Sequence, residues 1–260
     1  MTTFSPRRTA NLTRWNVVLL SRNRLAFFYA AVFPLLPLAL LFTGDRGDEA
    51  LGARTITTGF LVASLFTIYY NVLSQFVNRR DELVLKRMRT GEAREVELLV
   101  SIAMPGALST LLVATIVVPL AAALGQPLPV NPLLYAVLVV LVIATFSAFA
   151  FWTAAWTRSA ESAQLTSLPL ILLASVGPMT SSIPGMSDAL RELLSLTPGA
   201  AMSDLIRVGW FGLDGPDATA TTLSFAETGS QAAEPLLVLA AWTVIALALA
   251  RRSIRWEPRT

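Results

Sequence analysis

The chain has 260 residues, of which 54% are hydrophobic and only 14% are charged. More than half of it lies in five stretches without Asp, Glu, Lys or Arg, the longest of 60 residues, which excludes an ordinary water-soluble protein and predicts an all-α membrane protein. The alternating polarity of a membrane β-barrel is missing, and without cysteine or histidine we expect no disulfide and no metal site.

Residues 9–23 are predicted to form an amphipathic helix that lies in the cytoplasmic interface of the membrane. Leu12, Trp15, Val18 and Leu19 share one face of that helix, and tryptophan suits the depth of the interface. The alternative is that this segment only extends the first transmembrane helix.

The charge-free stretches predict six transmembrane helices, because a helix needs about 20 mainly apolar residues to cross a bilayer. The 60-residue stretch is too long for one helix, and three prolines and a glycine in residues 125–132 predict a turn within it. Pro34 and Pro37 predict a bend in the first span. The six predicted spans are residues 25–43, 56–77, 98–124, 133–156, 165–183 and 235–250.

The distribution of basic residues predicts that both termini are cytoplasmic. Sixteen of the 20 basic residues fall in the two termini and in the loops that follow the second and fourth spans. The net charge of +3 reflects this asymmetry and does not indicate nucleic acid binding.

The longest predicted cytoplasmic connection, residues 78–97, should carry a short helix. Acidic residues open it and basic residues close it, which matches the helix dipole, and an apolar strip on it requires a partner surface. The acidic residues are Asp81 and Glu82, the basic ones Lys86, Arg87 and Arg89, and the strip consists of Leu83, Val84, Leu85 and Met88.

Two short helices are predicted at residues 187–211, between the fifth and sixth spans, separated at Thr197-Pro198-Gly199. Apolar stretches of this length are typical of re-entrant or interfacial segments, so we expect both helices to dip into the outer leaflet. The Gly-, Thr- and Asp-rich residues 212–231 predict a mobile loop.

The predicted spans contain no ionisable group other than tyrosine, so the sequence predicts that the chain is not an enzyme and binds no cofactor itself. The single lysine, Lys86, does not follow a glycine, which excludes a phosphate-binding loop of the ATPase type. Energy for uphill transport would then enter through another polypeptide. A Na⁺-coupled carrier that uses carbonyl and hydroxyl oxygens is the alternative.

Polar uncharged side chains form one face of the second span: Ser64, Thr67, Asn71, Ser74 and Asn78. This face either lines a path or makes ordinary hydrogen bonds between helices, and Asn71 is the best candidate because a buried amide needs a partner.

Two more faces are apparent. The aromatic face of the fourth span is either an interfacial belt or a wall that contacts an amphipathic solute, and the small residues of the third span predict close helix packing. The aromatic face carries Thr145, Phe149, Trp152 and Trp156, and the small face Gly106, Thr110 and Ala114.

The order of these features resembles the ABC-2 permease family, the membrane subunits of type-2 ABC exporters, which include drug and antibiotic exporters. The resemblance covers nearly the whole chain. It is carried best by residues 79–89, by Arg158 to Ala163, and by residues 183–207 with their Leu-Thr-Pro and Asp-Leu-Ile-Arg sequences.

The resemblance implies a permease that moves an amphipathic drug, antibiotic, lipid or modified peptide out through a bacterial plasma membrane. Two permease subunits, identical or paralogous, would recruit two copies of a cytosolic ATPase that binds ATP and Mg. Residues 81–89 would be the coupling helix, Arg158 and Glu161 a second ATPase contact, residues 9–23 the connecting helix, and residues 187–211 a cap over the path. The path would be lined by Ser64, Thr67, Asn71, Ser74, Phe149, Trp152 and Ser175.

Some features depart from the family pattern. The sixth span has only 16 charge-free residues, which Ala232, Ala233 and a snorkelling Arg251 would extend. Residues 174–180 match the fifth-span motif only loosely, which leaves the gate residues open. The alternative functions are a Na⁺-coupled or uncoupled facilitator, or a non-transporting immunity or sensor subunit.

Overall fold

The computed structural model describes residues 4–85, 94–159, 161–179, 185–214, 222–254 and 256. Within these ranges the chain is built from helices, with one isolated antiparallel bridge between Leu213 and Thr222. The helices are α1 Pro6–Arg22, α2 Arg24–Phe42, α3 Glu49–Asp81, α4 Glu95–Ala123, α5 Pro132–Ala154, α6 Ala163–Met179, α7 Asp188–Ser195, α8 Pro198–Phe211, α9 Phe225–Gln231 and α10 Ala233–Ser253.

Five of these helices, α2, α3, α4, α5 and α10, are long and apolar enough to cross a membrane. They coincide with five of the six predicted spans. The remaining span was predicted at residues 165–183, where α6 forms an apolar helix of 17 residues and residues 180–183 lie outside the described ranges. The prediction of an all-helical membrane protein is confirmed, whereas the six-span count and the orientation stay predictions.

Helices α3 and α10 both extend beyond the predicted spans 56–77 and 235–250. The Asp48 carboxylate accepts hydrogen bonds from the backbone N–H groups of Ala50 and Leu51, which starts α3 seven residues early. The sixth predicted span has only 16 charge-free residues, whereas α10 has 21 residues and includes Arg251 and Arg252 at its end.

The first span is distorted, as its prolines predicted. Helix α2 passes into a π-helical turn at Phe28–Val32 and then into a 3₁₀ helix at Phe33–Phe42, which contains Pro37. An extended residue, Asn23, separates α2 from α1, and its side chain caps α2 by accepting a hydrogen bond from the Ala26 N–H. Helix α1 is therefore a separate helix and not an extension of the first span.

The core is formed where α5 packs against α10, α3 and α8. Helix α4 lies on the other side of α3, where a methyl group at Gly106 would be only 2.7 Å from the Thr67 carbonyl oxygen. Thr110 and Ala114 are also buried, and the Ala114 carbonyl accepts a hydrogen bond from the Tyr135 hydroxyl at 2.8 Å. The predicted close-packing face of the third span is confirmed.

Part of the predicted mobile loop at residues 212–231 is a helix, so that prediction was wrong for residues 225–231. Helix α9 begins with a capping box in which the Glu227 carboxylate accepts from the backbone N–H and the hydroxyl of Ser224, both at 2.7 Å. These bonds hold the pKa of Glu227 below its usual value. The Thr228 hydroxyl accepts a hydrogen bond from the Asn131 amide at 3.0 Å, which ties α9 to the start of α5.

Candidate functional site

Arg80 is a fully buried charge in the last turn of α3. Its guanidinium donates hydrogen bonds to the carbonyl oxygens of Ala154 at 2.7 Å and Thr157 at 2.6 Å, and a longer one to Arg158 at 3.4 Å. The last carbonyls of a helix lack partners within the helix and carry partial negative charge, so an arginine suits them well. Arg80 thus joins the end of α3 to the end of α5.

The same junction includes α6. The Thr157 hydroxyl lies 2.8 Å from the Thr166 hydroxyl, and one turn deeper the Tyr69 hydroxyl donates a hydrogen bond to the Thr153 hydroxyl at 3.0 Å. The junction therefore connects residues 81–85, the described part of one segment that was predicted to contact an ATPase, with Arg158 and Glu161 of the other. Sequence reasoning counted Arg80 only as one more basic loop residue.

The predicted coupling residues are only partly described. Asp81 is the last residue of α3, Glu82 and Leu83 form a turn, and helical backbone resumes at Val84 and Leu85. The prediction that Asp81 and Glu82 open a new helix was wrong, because Leu83 has left-handed backbone (φ 59°) and places the break after them. Lys86, Arg87, Met88 and Arg89 lie outside the described residues.

Exposure differs sharply along the predicted coupling segment. Asp81, Glu82 and Leu83 are exposed, while Leu85 is fully buried in the core. Leu83 is consequently the most accessible apolar side chain of the described part, Val84 is half-buried, and Leu85 fixes the segment to the rest of the chain. Arg158 and Glu161 are both exposed.

Helix α1 is held on α4 by a buried carboxylate, Glu97. Its two oxygens accept hydrogen bonds from the backbone N–H groups of Ser5 at 2.6 Å and Arg94 at 3.1 Å, and from the Arg8 guanidinium at 3.1 Å. The Glu97 side chain is 0% exposed, so these charge-assisted bonds replace its hydration.

A second polar contact holds the middle of α1. The Asn16 amide donates to the Ser101 carbonyl of α4 at 2.6 Å, and its oxygen accepts from the Arg79 guanidinium of α3 at 2.6 Å. Polar side chains thus hold α1 at two points along its contact with the rest of the chain. Thr9 and Asn16 are buried, while Trp15 and Leu19 are 68% and 61% exposed. The interfacial position of this helix stays a prediction, in which the exposed Trp15 and Leu19 would face lipid.

Glu97→Leu is expected to release the first turns of α1, because the substitution leaves the Ser5 N–H and the Arg8 guanidinium without their acceptor. We expect amide hydrogen exchange over residues 5–12 to accelerate by about an order of magnitude in hydrogen-exchange mass spectrometry. Glu161→Leu is the matched control, since that carboxylate is exposed and should leave α1 protected. Equal protection of α1 in both variants would show that Glu97 does not anchor it.

A cleft of about 910 Å³ opens between α1, α2, α3 and α6. It is lined by Asn71, Ser74 and Asn78 from the predicted polar face of α3, together with Tyr29 of α2 and Ser167 of α6. The Asn71 side-chain oxygen accepts a hydrogen bond from the Gln75 amide. Asn71, Ser74 and Asn78, the part of the predicted polar face nearer to the end of α3, therefore lie on an open, mainly uncharged surface.

The other part of the polar face, Ser64 and Thr67, is buried inside the chain. The Ser64 hydroxyl donates to the Phe60 carbonyl at 2.7 Å, and the Thr67 hydroxyl donates to the Ala30 carbonyl of α2 at 3.0 Å. Both lie in a π-helical segment, Ala63–Tyr70, a form often seen at functional sites. The Thr67 bond is one between helices, as the packing alternative proposed, whereas the Ser64 bond stays within α3.

The aromatic face of α5 packs against α10 instead of lining the cleft. The Phe149 ring is 1% exposed and lies 6.1 Å from Trp152 and 5.9 Å from Trp242 of α10. The Thr145 and Thr243 hydroxyls meet at 2.6 Å beside it. Ser175 is half-buried on α6.

Helix α8 is enclosed by α3, α5, α6 and α10 and buries most of its residues. At one end, the Met202 sulfur lies 3.7 Å from the Ser64 hydroxyl, and at the other the Trp210 indole N–H donates to the Pro127 carbonyl at 2.8 Å. The Trp242 indole donates to the Leu196 carbonyl at 2.7 Å, so the turn between α7 and α8 lies beside the middle of α10.

A family model described as "ABC-2 family transporter protein" matches residues 29–252, which include most of α2, all of α3 to α9 and all but the last residue of α10. No curated protein matches the chain.

Proposed function

We propose that the chain, which belongs to the ABC-2 transporter family, is the permease subunit of an ATP-driven exporter of amphipathic compounds. The observation that supports this proposal best is the Arg80 junction. The hydrogen bonds of Arg80 connect the two exposed segments that we propose contact an ATPase. A permease driven from outside the membrane needs such a rigid connection between its docking surface and its spans.

The proposed assembly has two permease subunits, identical or paralogous, and two cytosolic ATPase subunits that bind ATP and Mg. Each permease would have six spans, with α6 as the fifth and both termini in the cytoplasm of a bacterial cell. Helices α7 and α8 would re-enter the membrane from outside and cap the path. The burial of α8 among the spans supports this role.

The cleft is the proposed cytoplasmic entrance for the compound. Amide and hydroxyl groups of Asn71, Ser74 and Asn78 offer hydrogen bonds, and Tyr29, Phe66 and Tyr70 offer aromatic surface. Such a lining suits a neutral or weakly charged amphipathic molecule better than a small ion. Phe149 and Trp152 would act on the path only through the position of α10.

Leu83→Glu is expected to abolish association with the ATPase, because it places a charge in a contact that we propose to be apolar. When the permease is co-expressed with a cytosolic ABC ATPase from the same genome that co-purifies with the unmodified chain, the recovered ATPase should fall by about tenfold or more in affinity purification. The side chain is 40% exposed, so the substitution should leave the fold intact.

Leu128→Glu is the matched control, since this leucine is 64% exposed in the turn between α4 and α5, on the predicted outer face. It should leave ATPase recovery unchanged. Unchanged recovery with Leu83→Glu would contradict the docking role. Uphill transport by the purified chain alone, driven by a Na⁺ gradient, would overturn the whole proposal.

A further inference from the structure

A cavity of about 540 Å³ lies between α1 and α4. Its walls are one face of α1, including Ala10 and Val17, and one face of α4, formed by Val100, Met104 and Leu108. The two helices are held together by polar contacts at Glu97 and Asn16, and the small side chains between those contacts do not fill the space. The result is a groove with an apolar lining that is open along one side.

The position of the groove makes lipid its natural surroundings. Val100, Met104 and Leu108 follow each other at four-residue spacing, roughly 8 to 20 Å along α4 from its start. Helix α4 is a membrane-span candidate, and α1 lies across its first turns. Val100 and Leu108 are 38% and 42% exposed, so the groove faces the hydrocarbon just below the interface.

The lining of the groove carries one positive charge. Arg14 contributes to its lining and is exposed. Helix α1 contains four arginines and no acidic residue, and of these only Arg8 is bound to the Glu97 carboxylate in the described contacts. An apolar groove with an arginine at its mouth matches the two ends of an anionic phospholipid, an acyl chain and a phosphate.

We propose that this groove binds one anionic phospholipid of the inner leaflet, with an acyl chain against Met104 and the phosphate at Arg14. The volume is within the range of ordinary small-molecule sites. The bound lipid would hold α1 on α4 between its two polar contacts. Through Asn16 and Arg79 the position of α1 is linked to the end of α3, so the lipid would also support the docking surface. The site does not depend on export or on the transported compound.

The test is lipid retention by the purified full-length chain, measured by native mass spectrometry after incubation with mixed micelles. With phosphatidylglycerol we expect one retained lipid per chain, and with phosphatidylcholine much less. Arg14→Glu should lower phosphatidylglycerol retention by about tenfold, because it replaces attraction to the phosphate by repulsion. Arg22→Glu makes the same charge change on the same helix outside the groove and should retain the lipid.

Met104→Trp tests the acyl-chain half of the site by filling it. It should lower phosphatidylglycerol retention, whereas Leu111→Trp, on the 43% exposed lipid face of α4, should not. Arg14→Gln serves if either groove variant folds poorly, and it should lower retention less than Arg14→Glu. Equal retention in the Arg14→Glu and Arg22→Glu variants would overturn the proposal. So would dissociation of permease dimers by Met104→Trp with unchanged lipid retention, which would assign the groove to a second copy of the chain.

Discussion

Replacing Arg80 with alanine is expected to destabilise the folded chain by about 3 kcal/mol, one of the two largest effects that we predict. The substitution removes a buried charge and leaves the carbonyl oxygens of Ala154 and Thr157 without donors in a place that water does not reach. The junction between α3, α5 and α6 would loosen first. The measurement is the thermal unfolding midpoint of the purified chain in detergent, followed by the fluorescence of its six tryptophans.

Two further variants make the Arg80 prediction specific. Arg80→Lys keeps the charge, but an ammonium group cannot reach two carbonyl oxygens with the fixed fork of a guanidinium, so it should recover only part of the loss. Arg158→Ala removes an exposed side chain whose backbone carbonyl stays in place, and it should change stability by less than about 0.5 kcal/mol. Equal unfolding midpoints for Arg80→Ala and Arg158→Ala would show that the hydrogen bonds of Arg80 do not stabilise the folded chain by this amount.

The positions of the spans were readable from the sequence because lipid imposes a simple rule. A charge is costly in hydrocarbon and the bilayer has a fixed thickness, so long charge-free stretches mark the helices. The same rule misplaced the helix ends. Arg54 and Glu49 lie inside α3 and Glu95 and Glu97 inside α4, because a helix continues through charges once it reaches the interface.

The roles of charged residues near the interface could not be read in this way. Arg80 contacts carbonyl groups 74 and 77 residues away, and Glu97 contacts Ser5 and Arg8 more than 80 residues away. Local composition carries no information about such partners, so Arg80 and Glu97 looked like ordinary solvent-facing charges. Only the fold distinguishes an anchor from a surface charge.

For the polar face of α3, the sequence predicted the helical spacing but not the neighbours that cover each residue. Its helical spacing was correct, but α2 covers Thr67 and α8 approaches Ser64, while Asn71 and Ser74 remain on the cleft. A single sequence shows that polar groups share a face, and it does not show which neighbour covers each part. Helix α9 was missed for another reason. Its capping box, formed by Ser224 and Glu227, can be recognised in the sequence, but the Gly- and Thr-rich composition around it predicts a loop.

Gly199 sits at the closest approach between the buried helix α8 and α6. A methyl group there would lie 2.7 Å from the Ala174 carbonyl carbon and 3.1 Å from the Pro178 Cδ, and still closer to the Ala174 carbonyl oxygen. Gly177 faces it from α6, where a methyl group would be 2.7 Å from the Ala200 backbone nitrogen. These neighbours are largely backbone atoms, which cannot rotate away as a side chain can, so any added atom must separate the helices.

Gly199→Ala is therefore expected to cost about 3 kcal/mol, at the upper end of the range for overpacking, although it adds only one methyl group and improves helix propensity. The control is Gly229→Ala in α9, where a methyl group meets nothing within 4 Å, and the same substitution should be neutral or slightly stabilising. Thermal unfolding midpoints of the two variants provide the comparison, and equal midpoints would contradict the close contact of α8 with α6. If α8 is the cap of the path, Gly199→Ala should also reduce transport in vesicles while ATPase recovery stays normal, because Gly199 and its neighbours Ala174 and Pro178 are separate from the proposed docking surface around Leu83.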